Sequence, residues 1–269
     1  MSKKRREIPQ FDLPMIETHF HLDYLKEGSA HEILEQARAV GVERFMTIAV
    51  APDNLMKVLA LADEHEDVYA TLGIHPHEAD HFNNEVEAII RQHCVGDKVV
   101  AIGEIGLDYY YEHSDRAAQQ HAFKQQLQIA IDHQMPVVIH TREADEDTIA
   151  ILSEYAPKMA HKGVIHSFTS GAELAKLAVE LGFCLGINGI VTFNKADNVR
   201  DIVAQTPLSS LLLETDAPFL TPVPYRGAEN APKFLPFVAE KIAQVKQISV
   251  EEVIQQTYHN AQRTFFERT

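Results

Sequence analysis

The sequence has no apolar run approaching the roughly 18 residues that would span a bilayer, which excludes an ordinary transmembrane helix. Nor does it open on an export signal: MSKKRREIPQFDLP carries four basic residues with no apolar stretch behind them. Residues 1–14 are therefore expected to form a flexible, solvated tail, in preference to a basic arm for nucleic acid. Cysteine is scarce. Cys94 and Cys184 stand far apart and fit no CxxC pattern, and without an export signal they read as reduced, buried thiols of a cytoplasmic protein. Basic residues are in deficit, 24 Lys and Arg against 39 Asp and Glu, for a formal charge of -15. Proteins that grip long nucleic-acid backbones carry a basic footprint, so that mode of binding is disfavoured. Bound cations would reverse the field locally, which keeps an anionic substrate open.

There is likewise no Ser/Gly-rich linker, composition break, internal repeat or low-complexity segment. What is present is an alternation. Short β-branched runs at 15–21, 44–50, 68–73, 99–103, 136–141, 163–167, 183–187 and 211–214 are apolar without a polar face, as parallel strands covered on both sides are. Between them lie helical patterns, one with Phe123, Leu127, Ala130 and Ile131 on a single stripe, another with Leu174, Leu177, Ala178 and Leu181. Asp53 and Ser249 read as helix starts. Eight strand–helix units in 269 residues predict an α/β fold, a single-domain TIM (β/α)₈ barrel over residues 15–269. A doubly wound open sheet shows the same alternation. The segment 215–232, stiffened by Pro218, Pro222, Pro224 and Pro232, would lie beside the usual barrel site.

The placement of polar residues carries the functional reading. In IETHFHLD, His19 and His21 lie two apart at the end of the first strand, so the strand period turns both imidazoles to one side. Glu104 ends the fourth strand, His140 the fifth and His166 the sixth, and Asp216 lies just past the eighth. In a barrel these strand ends share one face. A lone histidine there would more simply satisfy a backbone hydrogen bond, but that reading does not account for the whole set. Imidazoles mixed with carboxylates suit Zn, Mn, Fe or Co, and Mg less naturally. Six donors exceed the three or four of a single catalytic zinc. Two divalent metal ions sharing a bridging carboxylate account for them better, about 3.5–4 Å apart as in other two-metal sites.

With those residues in place, the chain resembles the TatD family of metal-dependent hydrolases, within the amidohydrolase-type barrels. The resemblance covers residues 15–266 and rests on THFHLD, GIHPHEA, GEIGLDYYYEHS, PVVIHTREADEDT, GVIHSFTSG, LLLETDAPFLTP and EEVIQQTYHNAQRTF, in that order. It implies a binuclear centre in which His19, His21, Glu104 and Asp216 surround one ion. Glu104 would bridge to a second, completed by His140 and His166. Many members of the family are deoxyribonucleases, of 3′-end exonuclease or repair type, and some relatives remove D-amino acids from tRNA. Glu17 stands where Asp is common, Phe20 and Ser167 where Cys is frequent, and AENAPKF varies the loop after Arg226–Gly227. These departures bear on substrate preference and remove no expected ligand.

The expected activity is hydrolysis of a DNA phosphodiester near an end, with Asp216 orienting the attacking water and taking its proton. Glu214 would buttress the loop or a ligating histidine. His75, Arg142, Arg226 and Asn230 are the expected substrate contacts, with His77 less directly placed. Arg suits bidentate phosphate recognition, although pairing with a nearby carboxylate is its plainer role. Among Tyr109, Tyr110 and Tyr111, which would stack on a base, at least one must pack instead. Arg116 and Gln119 open the following helix. The same ligands would serve hydrolysis of an ester or amide, such as an aminoacyl-tRNA or a small molecule, since they do not choose between phosphorus and carbonyl carbon. A metal-dependent binding protein without turnover is the third reading.

Overall fold

The computed structural model describes residues 5–267. Its strands are β1 (Met15–Phe20), β2 (Val42–Ile48), β3 (Val68–Leu72), β4 (Val99–Asp108), β5 (Val137–Arg142), β6 (Gly163–Ile165), β7 (Cys184–Ile187) and β8 (Leu211–Leu213). All seven neighbouring pairs are parallel and run in sequence order, so the eight expected strands form one barrel-like sheet. The helices between and after them are α1 (Ala30–Arg38), α2 (Leu55–Glu64), α3 (Asn84–His93), α4 (Arg116–Asp132), α5 (Asp145–Tyr155), α6 (Ala172–Leu181), α7 (Asp197–Gln205), α8 (Leu235–Lys246) and α9 (Val250–Ala261). Among the described residues, no helix is long and apolar enough to cross a membrane.

Local chemistry sets the ends of these elements. Ser29 and Glu32 form a reciprocal capping box at the start of α1. Ser249 caps α9, as expected, by accepting the Glu252 backbone N–H. The expected start of α2 at Asp53 lies one residue early. Asn54 takes the cap position and turns its Oδ1 back to the Val50 and Ala51 backbone N–H groups, so it shapes the preceding loop. The largest departure is β4, which continues five residues beyond the expected end at Gly103 to reach Asp108. Its register with β5 slips between Ile102 and Ile105 and then resumes to Asp108.

Two apolar layers result. An outer core lies between sheet and helices, with Phe45, Phe123, Leu127, Ile139 and Leu213 among its members. A smaller inner cluster fills the barrel, where Met46, Ile48, Val138, Val164, Cys184 and Leu212 meet Phe265 from the C-terminal end. Full burial of a side chain such as Phe265 contributes about 1.5–3 kcal/mol. The inner apolar residues predict the site. On three strands the residue two positions further along carries the chemistry: Val138 precedes His140, Val164 precedes His166, and Leu212 precedes Glu214. The expected single face at the C-terminal strand ends is thus the polar continuation of an apolar plug.

The barrel closes without a regular ladder between β8 and β1. In its place Asp216 N–H donates to His19 C=O at 2.8 Å, His21 N–H to Ala217 C=O at 2.7 Å, and Thr18 Oγ1 to Leu213 C=O at 2.9 Å. The seam therefore holds His19, His21 and Asp216 side by side. The segment expected as a tail is tethered over its described part, with Phe11 and Leu13 against the outer core and Arg6 paired with Glu240. Residues 1–4 of it lie outside the described residues. Both cysteines are buried, as expected.

Candidate metal centre

Glu104 is at the middle of the site, buried, on the extended β4. Its two oxygens face different partners. Oε2 is 3.4 Å from His19 Nε2, whereas Oε1 is 2.7 Å from His166 Nε2, 3.1 Å from His140 Nδ1 and 3.4 Å from His75 Nε2. Asp216 Oδ1 completes the first side, 3.5 Å from His21 Nε2 and 3.8 Å from His19 Nε2. The six residues expected as ligands, drawn from five strand ends, thus meet around one carboxylate. Asp216 reaches the group through a left-handed backbone with φ of 57°, a conformation that Asp tolerates better than most side chains.

The pairing of β1 slips between Glu17 and Phe20. Ile16 belongs to the inner cluster, and the next residue turned to the interior site is His19, an odd step along the strand. Glu17 stabilises this bend from beneath, accepting the His19 backbone N–H at 3.1 Å and that of Thr215 at 2.9 Å. Glu214 does the same for β6, accepting the Ser167 N–H at 2.6 Å with its Oε1 3.7 Å from His166 Nδ1. A Cβ at Gly186 would lie 2.2 Å from Glu214 Oε2, so glycine is needed on β7 to leave space for that carboxylate.

Electrostatics follow from this crowding. Burial pushes the Glu104 carboxyl up, but the surrounding imidazoles, His166 and His75 foremost, outweigh it and hold it well below the usual carboxylate range. Burial likewise opposes ionisation of Asp216, and the His21 contact with the neighbouring imidazoles brings it down. Burial disfavours the cationic form of His166, yet Glu104 and Glu214 raise it well above an ordinary histidine. His21 and His140 are raised too, against their burial, by Asp216 and by Asp108 with Glu104 respectively. His19 goes the other way, lowered by burial and by His166, whose ring stacks on its own at 3.8 Å. His75 is lowered to about 4, burial outweighing Glu104.

This donor set fits a divalent cation. Nε2 of His19, turned to Glu104, is buried with no hydrogen-bond partner among the described residues, a costly condition that a metal would relieve. Three overlapping groups have ligand atoms close enough to share an ion: His19, His21 and Glu104; His75, Glu104 and His140; His19, His166 and Glu214. The mix of imidazole and carboxylate suits transition metals.

Asp108 is the residue that sequence reasoning missed. Its Oδ2 accepts from His140 Nε2 at 2.9 Å and from His77 Nε2 at 3.1 Å, while Oδ1 accepts the Tyr110 and Tyr111 backbone N–H groups at 3.0 Å. It therefore orients His140 with Nδ1 toward Glu104. The signal was its spacing. Glu104 and Asp108 are an even number of residues apart, but a strand expected to stop at Gly103 hid their relation.

A cavity of about 750 Å³ opens over the carboxylates. His75, His77 and Arg142 line it, the last with its guanidinium carbon 4.0 and 4.8 Å from the Tyr110 and Tyr111 ring centroids. Tyr24 and Phe219, packed against His21, line the cavity too, as does Leu220, with Phe219 half exposed. Two expected contacts are not brought there. Arg226 donates to Thr221 C=O and stacks on Phe193 at 3.9 Å. Asn230 is fully buried and ties the long loop together through Thr215 and Phe219 carbonyls. Tyr109 packs away, donating to Asp147 at 2.6 Å. Arg116 covers Tyr109, and Gln119 holds the Asp108 backbone by accepting its N–H and donating to its C=O.

The comparisons with known proteins agree. The family model described as TatD related DNase matches residues 16–266. The uncharacterized metal-dependent hydrolase YabD of Bacillus subtilis is 36% identical over 252 residues, 93% of this chain and 98% of that one. YcfH of Escherichia coli, carrying the same description, is 38% identical over 256 residues, 93% of this chain and 95% of its own. The crystal structure of YjjV, a TatD homologue from Escherichia coli, superposes with a TM-score of 0.87 at 31% identity, covering 93% of this chain and 97% of that one. The chain belongs to the TatD family and is a metal-dependent hydrolase with a TIM-barrel fold.

Proposed function

We propose that the protein hydrolyses phosphodiesters at DNA ends, using two divalent cations held by His19, His21 and Asp216 on one side and by His140 and His166 on the other, with Glu104 shared. The observation that carries the two-ion reading is the division of Glu104, with Oε2 turned to His19 and Oε1 to His140 and His166. One ion would need only one of these sets. When bound, such cations supply Lewis acidity that polarises a phosphoryl oxygen and makes a water near them a stronger acid.

The protein's own groups do the rest. Asp216 is held in its anionic form with Oδ1 turned to His19 and His21, leaving Oδ2 to orient the attacking water and accept its proton. Among the described residues lining the cavity, Arg142 is the one Lys or Arg side chain, and it is offered to a phosphate with its guanidinium held beside two tyrosine rings. Tyr111, beside His77, and Phe219, beside His21, both line the cavity and are half exposed, which suits stacking against a splayed base. A single cation and a formal charge of -15 favour a strand end over a long backbone.

The same scarcity of cations favours, as a second reading, a small ester or amide whose carbonyl meets the same centre. Purified protein reloaded separately with magnesium, manganese and zinc, and offered single-stranded DNA, duplex DNA and aminoacyl-tRNA, separates the two. Shortening of DNA from its ends is expected. Ester cleavage with intact DNA would overturn the DNA reading, and binding without turnover in every metal state would overturn both. Asp216→Asn is expected to lower turnover by about 100- to 10,000-fold, the range for a general base. Unchanged turnover and metal content would remove Asp216 from the mechanism.

A further inference from the structure

His75 is one of three imidazoles around Glu104 Oε1, and by distance alone it belongs among the ligands with His140. Its other nitrogen decides otherwise. His75 precedes the 3₁₀ turn Pro76–His81, and its Nδ1 accepts the His77 backbone N–H at 3.1 Å, capping that turn. An imidazole nitrogen that accepts a hydrogen bond carries no proton. In the neutral ring the proton must then sit on Nε2, the atom that faces the site. A doubly protonated ring would have no lone pair for the cap, and a deprotonated Nε2 would require an imidazolate. The neighbouring His140 differs in this respect. Its outer nitrogen, Nε2, donates to Asp108, which leaves Nδ1 with a lone pair for a cation.

We propose that His75 is a fixed hydrogen-bond donor to the substrate and not a metal ligand: its Nε2–H points from the capped turn into the cavity and meets the phosphoryl or acyl oxygen that gains negative charge during hydrolysis. At 3.4 Å the contact to Glu104 Oε1 is longer than an ordinary hydrogen bond, so the N–H is available to a second acceptor. The ring is held for this use. His140 packs against it at 4.5 Å between centroids and His77 at 4.4 Å, and Pro76 sets the turn that supplies the capping N–H. A neutral donor in such a place stabilises developing charge without competing with cations for the carboxylate. No proton leaves His75 in this role. The inference rests on the hydrolase reading for its substrate, but the tautomer and the metal count do not depend on that reading.

The test uses the full-length protein, metal-free and zinc-loaded, with ¹⁵N-labelled histidine. Long-range ¹H–¹⁵N correlation, with His75 assigned by comparison with His75→Gln, is expected to show the proton on Nε2 in both states. Zinc per chain is expected to be the same in wild type, His75→Ala and His75→Gln. A proton on Nδ1, a zinc-coordinated Nε2, or loss of a zinc equivalent in either variant would overturn the proposal. With bis(4-nitrophenyl) phosphate and 4-nitrophenyl acetate as probes, His75→Ala is expected to lower kcat by about 100- to 1,000-fold with KM little changed. His75→Gln, which retains an N–H donor, is expected to recover part of that loss, and equal kcat in all three proteins would overturn the donor role. Should wild type cleave neither probe, which counts against the hydrolase reading on those substrates, inorganic phosphate added to the zinc-loaded protein decides: a shifted His75 Nε2–H signal supports the donor and an unmoved one overturns it.

Discussion

The two sides of Glu104 are built by different means. On one side His19, His21 and Asp216 sit on the seam where the barrel closes, held by backbone hydrogen bonds between β1 and the segment after β8. The backbone there is irregular, with a register slip in β1 and a left-handed Asp216. On the other side His140 and His166 follow the plain strand period of β5 and β6, two residues after inner core positions. The His140 ring is aimed by the carboxylate behind it, Asp108 at 2.9 Å, and the Glu214 carboxylate stands 3.7 Å behind His166 Nδ1, beyond hydrogen-bond reach. His19 has no such partner, and its Nδ1 is buried alone among the described residues. One half-site is thus fixed by its main chain and the other by side chains. A carboxylate behind the ring can be removed without disturbing the backbone, so the second half is the one that mutation should weaken selectively.

Removing the shared residue should have the largest effect. Glu104→Gln takes a charge from both halves and should lower turnover by about 1,000-fold or more, several kcal/mol of transition-state stabilisation. Steady-state kinetics with saturating metal check this, and a loss under tenfold would show that the halves do not share it. Asp108→Asn should act on one half only. Metal affinity or turnover should fall by about 10- to 100-fold, the usual cost of losing an outer partner of a ligating histidine. Calorimetric titration should show one of two binding events weakened and the other unchanged, and weakening of both events would contradict the separation.

A smaller effect tests the packing beneath. Gly186→Ala forces a methyl toward Glu214 Oε2 and the His166 backbone, and should destabilise the fold by about 1–3 kcal/mol, as overpacking does. Urea denaturation measures it, and unchanged stability would mean that the Glu214 carboxylate moves freely. The smallest effect concerns pH. His140 and His166 are both raised in the metal-free protein by their carboxylates, whereas in the seam half His21 is raised and His19 lowered. A raised pKa means that protons compete with the cation from a higher pH downward. As pH falls from about 8 to about 6, the His140–His166 ion should be released before the seam ion. Metal content after dialysis at each pH tests the order.

Much of this was legible in the sequence, and the exceptions share a cause. The strand period paired His19 with His21, and a place at or just past the end of a strand located Glu104, His140, His166 and Asp216. A parallel barrel delivers successive strand ends to one face regardless of loop detail, which is why such distant residues could be grouped. Asp108 was missed because an apolar run marks where a strand starts better than where it ends, and β4 continues past the run through Gly106. Arg226 and Asn230 were misplaced for another reason. A loop residue's direction depends on hydrogen bonds within the loop, here to the Thr221, Thr215 and Phe219 carbonyls, which leave no periodic trace. The tautomer of His75 was beyond sequence, since it depends on one backbone N–H two residues ahead.

Whether Glu104 serves two cations at once is read from metal stoichiometry. Metal-free protein is titrated with zinc, separated from unbound ion, and its zinc and protein contents are measured. Two equivalents per chain are predicted for wild type, with one or none retained by Glu104→Ala under the same conditions. A single equivalent in wild type, or two retained by the variant, would contradict a shared Glu104.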